Sequence, residues 1–294
     1  MTARLRARIT YANVAATLAL VLSMSGGALA AQRYLITSTS QLSPAVLAKI
    51  AGAKLSKEEK EKLNAILPYV KYVASGVGGK PTIQFSGANV QIVSGSGSTG
   101  GAVNGAGNLI VGYDESPGEQ TGSHNVVVGS EDTYTGWGSI IGGQDNTATS
   151  HGTVVFGYQN KAGNEYATAT AGSKNMALGP YSAVSGGQSN EAINADHESG
   201  SSVSGGNGNV ARGLDNSISG GQSNHVNGAT ASVTGGFGNT ANGPYSSVLG
   251  GTTNTAWEAT AVVVGGRENQ AKGQASAILG GREEVLEEAY SHFP

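Results

Sequence analysis

Asn239-Thr240-Ala241-Asn242-Gly243-Pro244-Tyr245-Ser246-Ser247-Val248-Leu249-Gly250-Gly251 is one period of a repeat, and the repeat decides the fold. Gly-Gly pairs begin at Gly205, Gly220, Gly235, Gly250, Gly265 and Gly280, each 15 residues after the last. Before each pair stands a β-branched residue: Val203, Ile218, Val233, Val248, Val263 and Ile278. Four residues after each first glycine comes Asn209, Asn224, Asn239, Asn254 or Asn269. Two further on stands Ala211, Val226, Ala241, Ala256 or Ala271. Gly213, Gly228, Gly243 and Gly273 complete the unit, and Glu258 breaks it. Looser copies extend back to Asn108, and 19 residues separate Gly186 from Gly205, which reads as an insertion around Asp196–Ser201.

A fixed period of this length marks a solenoid. Each unit holds two short extended pieces and two turns. In the first piece the β-branched residue and the first glycine share a face; in the second, Asn and the small apolar residue do. Glycines supply turn conformations that other residues resist. Coils then stack as parallel strands about 4.8 Å apart, with identical asparagines forming a ladder. The expected fold is all-β, a parallel β-roll or β-solenoid of roughly 12 coils and about 55 Å. Its expected core is Val203, Ile218, Val233, Val248, Val263, Ile278, Ala211, Ala241, Ala256 and Ala271. One Val or Ile and one Ala per coil is little burial against the entropy of ordering 15 residues. Self-association that buries a second face is the expected remedy.

The flanks read differently. Arg4, Arg6 and Arg8 precede an apolar run, and Ala28-Leu29-Ala30 is a small-x-small cleavage pattern. Residues 1–30 are therefore expected to be a signal peptide cut near Ala30, with the mature chain secreted to the extracellular space or cell surface and carrying no transmembrane anchor. Residues 31–78 read as a short helical neck. Ser43-Pro44 opens one helix and Ser56-Lys57-Glu58-Glu59 caps another, along which Leu63, Ile66, Leu67, Val70 and Val73 recur and which Pro68 interrupts. Residues 79–104 read as a hairpin of Thr82–Phe85 with Val90–Val93, followed by a Gly/Ser-rich connector. The repeats span 105–281. Arg282–Pro294 reads as a short acidic helix or polar cap.

Composition excludes several classes of function. There are no cysteines, so disulfides and thiolate chemistry are out. The net charge is −3, and loss of residues 1–30 leaves 14 basic against 20 acidic groups, which argues against nucleic acid as a partner. The five histidines (His124, His151, His197, His225 and His292) lack metal spacing and read as solvated turn residues. Glu131-Asp132, Asp196 with Glu198, and Asp114-Glu115 read as surface carboxylates. Gly205–Asn209 and Gly235–Asn239 lack the Asp and the nine-residue period of calcium-binding repeats. No catalytic residue, metal site or cofactor is expected. Trp137, Tyr166, Tyr181, Phe237, Tyr245 and Trp257 are the candidate binding residues, because exposed rings stack on sugars or anchor protein partners; the bland alternative is that they cover turns or fill an interface between copies of the chain.

The repeat resembles the YadA-like head of trimeric autotransporter adhesins, over about 60% of the chain. The resemblance implies a left-handed roll, a homotrimer, and adhesion to an extracellular matrix protein, glycan or cell-surface ligand. Asn216-Ser217-Ile218-Ser219-Gly220-Gly221 comes closest to the family's head motif, with Gly220 where the family carries an aliphatic residue. Arg282–Pro294 is too short for the family's membrane anchor. Alternative expectations are a structural spacer or fibre component, a polysaccharide-acting solenoid enzyme, and an ice-binding solenoid. Thr133 with Thr135, Thr147 with Thr149 and Thr168 with Thr170 read as pairs that do not recur at the coil period.

Overall fold

The computed structural model describes residues 56–115, 118–193 and 200–294, which belong to two compact units divided after Val90. The signal-peptide region, the helix at Ser43-Pro44 and the carboxylates Asp196 and Glu198 lie outside the described residues.

In the first unit, helix α1 (Lys57–Ile66) starts at the expected capping box. Ser56 Oγ accepts the Glu59 N–H at 3.2 Å, and Glu59 Oε2 accepts the Ser56 N–H at 2.8 Å. The Ser56 bonds hold the Glu59 carboxyl below its usual range. Pro68 falls in a 3₁₀ turn, Leu67–Tyr69, that ends the helix. Two expectations fail beyond it. Val70 and Val73 continue no helical stripe; they bound strand β1 (Val70–Val73). Thr82–Phe85, strand β2, pairs antiparallel with β1 and not with Val90–Val93, which forms no strand. Proline removes the donor a longer helix needs, which releases the β-branched residues behind it into extended structure. None of the unit's described residues is buried.

The second unit is the solenoid. Its coils contribute to one sheet of 13 strands and one of 11, and every pairing within them is parallel. In the larger, the valine sheet, Val127, Ile141, Val155, Ala169, Val184, Val203, Ile218, Val233, Val248, Val263 and Ile278 lie in register at 0 to 1% exposure. In the smaller, the alanine sheet, Tyr134, Ala148, Ala162, Ala177, Ala192, Ala211, Val226, Ala241, Ala256 and Ala271 lie in register at 0 to 2% exposure. The interior is two facing columns, one of mostly larger and one of mostly smaller side chains, joined in a single core cluster. The insertion does not disturb it, because Val184 still pairs with Val203 and Ala192 with Ala211.

Arg282–Pro294 is not a helix or a separate cap. Val285–Leu286 and His292–Phe293 add a further strand to each sheet. Glu284, Leu286, Ser291 and Phe293 take the places of Asn, Ala, Ser and Val in the repeat, and the open sheet edges above supply the hydrogen bonds.

The two glycines of a pair do different work. Gly236, the second, has φ 88°, and a Cβ there would lie 2.2 Å from Gly251 O. A Cβ at Gly235 would meet nothing within 4 Å.

Candidate functional site: the ladders and the turn face

The asparagines face inward at the turn between the sheets, where Asn209, Asn224, Asn239, Asn254 and Asn269 are 0% exposed. Asn224 shows the pattern. Its Oδ1 accepts the Asn239 N–H at 2.9 Å. Its Nδ2 donates to Gly220 O at 3.0 Å and to Gly236 O at 3.1 Å. One side chain thus satisfies the Asn239 N–H and Gly220 O, which a buried turn would otherwise orphan, and adds a second donor to Gly236 O, which also accepts the Gln222 N–H at 2.9 Å. The ladder runs further than the five residues read from the repeat. It continues backward through Asn190, Asn175, Asn160 and Asn146 to Asp132.

Asp132 and Asp114 are therefore not surface carboxylates. Asp132 is 0% exposed and Asp114 8%. Asp132 Oδ1 accepts the Asn146 N–H at 2.9 Å and Asn146 Nδ2 at 3.2 Å. Asp114 Oδ2 accepts the Tyr134 hydroxyl at 3.1 Å and is also bonded by Gln120 Nε2. Tyr134 stands first in the alanine column, so its ring closes that end of the interior. Burial, with the nearby Asp114 charge, pushes the Tyr134 phenol up to about 12. The signal for Asp132 was present in its spacing, 14 residues before Asn146 and 28 before Asn160, but a wrong residue type hid it.

Three of the six candidate aromatics, Trp137, Tyr166 and Tyr181, meet on the opposite turn through His151. Trp137 stacks on His151 with ring centroids 4.9 Å apart and an interplanar angle of 7°. His151 meets Tyr166 edge-on at 5.1 Å, and Tyr166 stacks on Tyr181 at 5.4 Å. Tyr245 occupies the same turn further along, and Tyr166, Tyr181 and Tyr245 share a left-handed φ of 54°, 56° and 58°. Gly152 makes the stack possible, since a Cβ there would lie 2.8 Å from Tyr166 Cδ1. His151 is thus no isolated turn residue; its Nε2 also lies 3.4 Å from Glu165 Oε2. His124 is engaged too, its Nε2 accepting the Ser94 N–H at 2.9 Å. Tyr290, 78% exposed with φ 57°, joins this turn and was missed because Arg282–Pro294 did not read as a coil. Phe237 and Trp257 stand elsewhere and are about half exposed.

Each ring of the stack spends at least one side on a neighbour. Trp137 is also covered on its outer side, where a Cβ at Gly100 would lie 3.2 Å from Trp137 Cζ2. Tyr166 and Tyr181 remain 48% and 56% exposed at the far end of the stack.

The outer face of the valine sheet carries a second pattern. Leu109, Val111, Val128, Ile140 and Phe156 are exposed near one end, and Leu249, Val264 and Leu279 near the other, at 37 to 55%. Between them the same outward positions hold Thr168 and Thr170, Ser185, Ser202 and Ser204, Ser217 and Ser219, and Ser232 and Thr234. On the alanine sheet, Thr133 and Thr147 pair in register and Thr135 Oγ1 donates to Thr149 O at 3.2 Å, so these Thr pairs do recur at the coil spacing. Lys161 and Gly163 end that array after two coils.

A shallow groove of about 490 Å³ runs past Asp145, Gln159, Lys161, Lys174 and Glu191. Both signs of charge line it, so it selects no charge. Among the described residues no three His, Asp or Glu side chains gather as metal ligands, and no helix is long and apolar enough to cross a membrane. No family model matches the sequence, and no curated protein matches it.

Proposed function

We propose that the chain is an exported, non-catalytic head protein that assembles as a homotrimer and mediates adhesion to an extracellular matrix protein, glycan or other cell-surface ligand. The observation that carries this reading is the valine sheet's outer face. Its inward side packs at 0 to 1% exposure from Val127 to Ile278, yet leucine and valine recur on the outward side at both ends, joined by Ile140 and Phe156 at one. Exposed apolar rows of this extent suit contact with another protein surface. Identical copies are the occupant we assign, since a slender roll gains the most by burying a second face and closed symmetry lets equivalent faces meet. The repeat's resemblance to YadA-like heads supports the trimer, the left-handed turn and the adhesive role.

Light scattering coupled to size separation of the purified chain tests the assembly. A mass three times that of the chain is expected; a cooperatively melting monomer would remove the basis of the reading. Binding of the pure protein to matrix proteins, glycan arrays or cells tests adhesion. A structural spacer is the second reading, favoured by the way Trp137, His151, Tyr166 and Tyr181 satisfy one another. It predicts the same mass with no binding to any of these surfaces.

A further inference from the structure

Asp132 takes an asparagine's place, and its second oxygen takes the place of an amide nitrogen. The glycine three residues earlier serves as a fixed reference. A Cβ built at Gly157, Gly206 or Gly221 would meet Nδ2 of Asn160, Asn209 or Asn224 at 2.6, 2.5 and 2.6 Å. A Cβ built at Gly129 would meet Oδ2 of Asp132 at 2.9 Å. The ladder nitrogens donate there to two carbonyls; for Asn146 these are Gly142 O at 3.1 Å and Gly157 O at 3.0 Å. One coil earlier in the pairing, the matching carbonyls are those of Val128 and Gly143. Asp132 Oδ2 is buried and, among the described residues, has no hydrogen-bond partner as an acceptor. An ionised carboxylate would set its buried lone pairs against carbonyl lone pairs.

We propose that Asp132 is held as a neutral carboxylic acid whose Oδ2–H donates to the Val128 or Gly143 carbonyl, so that its ionisation loosens the N-terminal end of the ladder. The acid then reproduces the asparagine pattern, one acceptor and one donor, but only while the proton stays. Its surroundings favour that form. Burial pushes the Asp132 carboxyl above its usual range, against the opposing pull of the two Asn146 donors, and the charges of Asp114 and Asp145 push the same way. The titratable groups facing it are Asp114 and Tyr134 from the coil end, with Glu131 and Asp145 on the turn, and among the described residues no cation pairs with it.

The sign follows from linkage. The folded chain keeps a proton that the unfolded chain releases near pH 3.9, so the stabilisation is complete below about that pH and is lost as the pH rises through the raised value. Thermal melts of the full chain and of Asp132→Asn, at equal concentration from about pH 4 to about pH 8, test this. The variant carries a permanent donor. It is expected to melt higher than the wild type at the upper pH, with the gap closing on acidification. A gap that stays constant with pH, or a variant that melts lower at the upper pH, would overturn the proposal. Carboxyl ¹³C spectra give a second readout independent of folding losses. The resonance missing from Asp132→Asn is expected to titrate above the ordinary aspartate range, and titration at or below that range would equally overturn it.

Discussion

Asn239 Oδ1 accepts the main-chain N–H of Asn254 at 2.9 Å, and the same bond repeats from each ladder asparagine to the next. Removing one rung therefore damages two coils. Asn239→Ala leaves the Asn254 N–H and Gly235 O without a partner and takes one of two donors from Gly251 O, which keeps the Phe237 N–H. With each buried orphan costing about 1–3 kcal/mol, a loss of about 3 kcal/mol is expected in denaturant titrations.

The Gly-Gly pairs separate two effects in one dipeptide. Gly236→Ala forces a side chain into a left-handed turn and onto Gly251 O, and should cost about 3 kcal/mol or abolish folding. Gly235→Ala adds a methyl group facing open space, and Ala171 already stands at the equivalent place. Its expected change is within about 0.5 kcal/mol. Paired melts of the two variants check the contrast.

Alkaline stability reports on Tyr134. The phenol is pushed up to about 12 in the fold, and the unfolded value is about 10. The folded chain holds the proton longer, so its contribution is complete below about pH 10 and is lost as the pH climbs through about 12. Urea titrations across that interval should show stability falling in the wild type and falling less in Tyr134→Phe.

His151 links Trp137 to Tyr166. His151→Ala removes both ring contacts, and a loss of about 1 kcal/mol is expected. In a Trp257→Phe background Trp137 is the remaining tryptophan, so its emission should change on the same substitution. Unaltered emission would mean the stack does not form in solution.

The regular coils were legible because one period sets everything in them. The Gly-Gly pairs locate the turns, Val248 and Ala241 locate the two inward columns, and Asn239 locates the ladder. The irregular ends were not. Asp132 and Tyr134 replace Asn and Ala at the first rungs, and Glu284 and Leu286 replace them at the last. There, position in the stack overrides residue type, because a neighbouring strand supplies the hydrogen bonds whatever side chain arrives. The aromatic column was half legible. Each ring could be placed on a turn, but contact between Trp137 and Tyr166 depends on the imidazole between them and on the bare Gly152. The Thr82–Phe85 strand was assigned the wrong partner because proximity in sequence favoured Val90–Val93, while the proline-ended helix delivered Val70–Val73 instead.

The asparagine ladder also has a polarity. In every rung the carbonyl oxygen of one side chain waits for an amide that arrives later in the chain. A finished coil is thus a mould for its successor, and assembly can proceed vectorially, one winding at a time, behind an emerging polypeptide. Each winding captures the next as it appears, so the search for parallel partners shrinks from the whole chain to a single turn of thread.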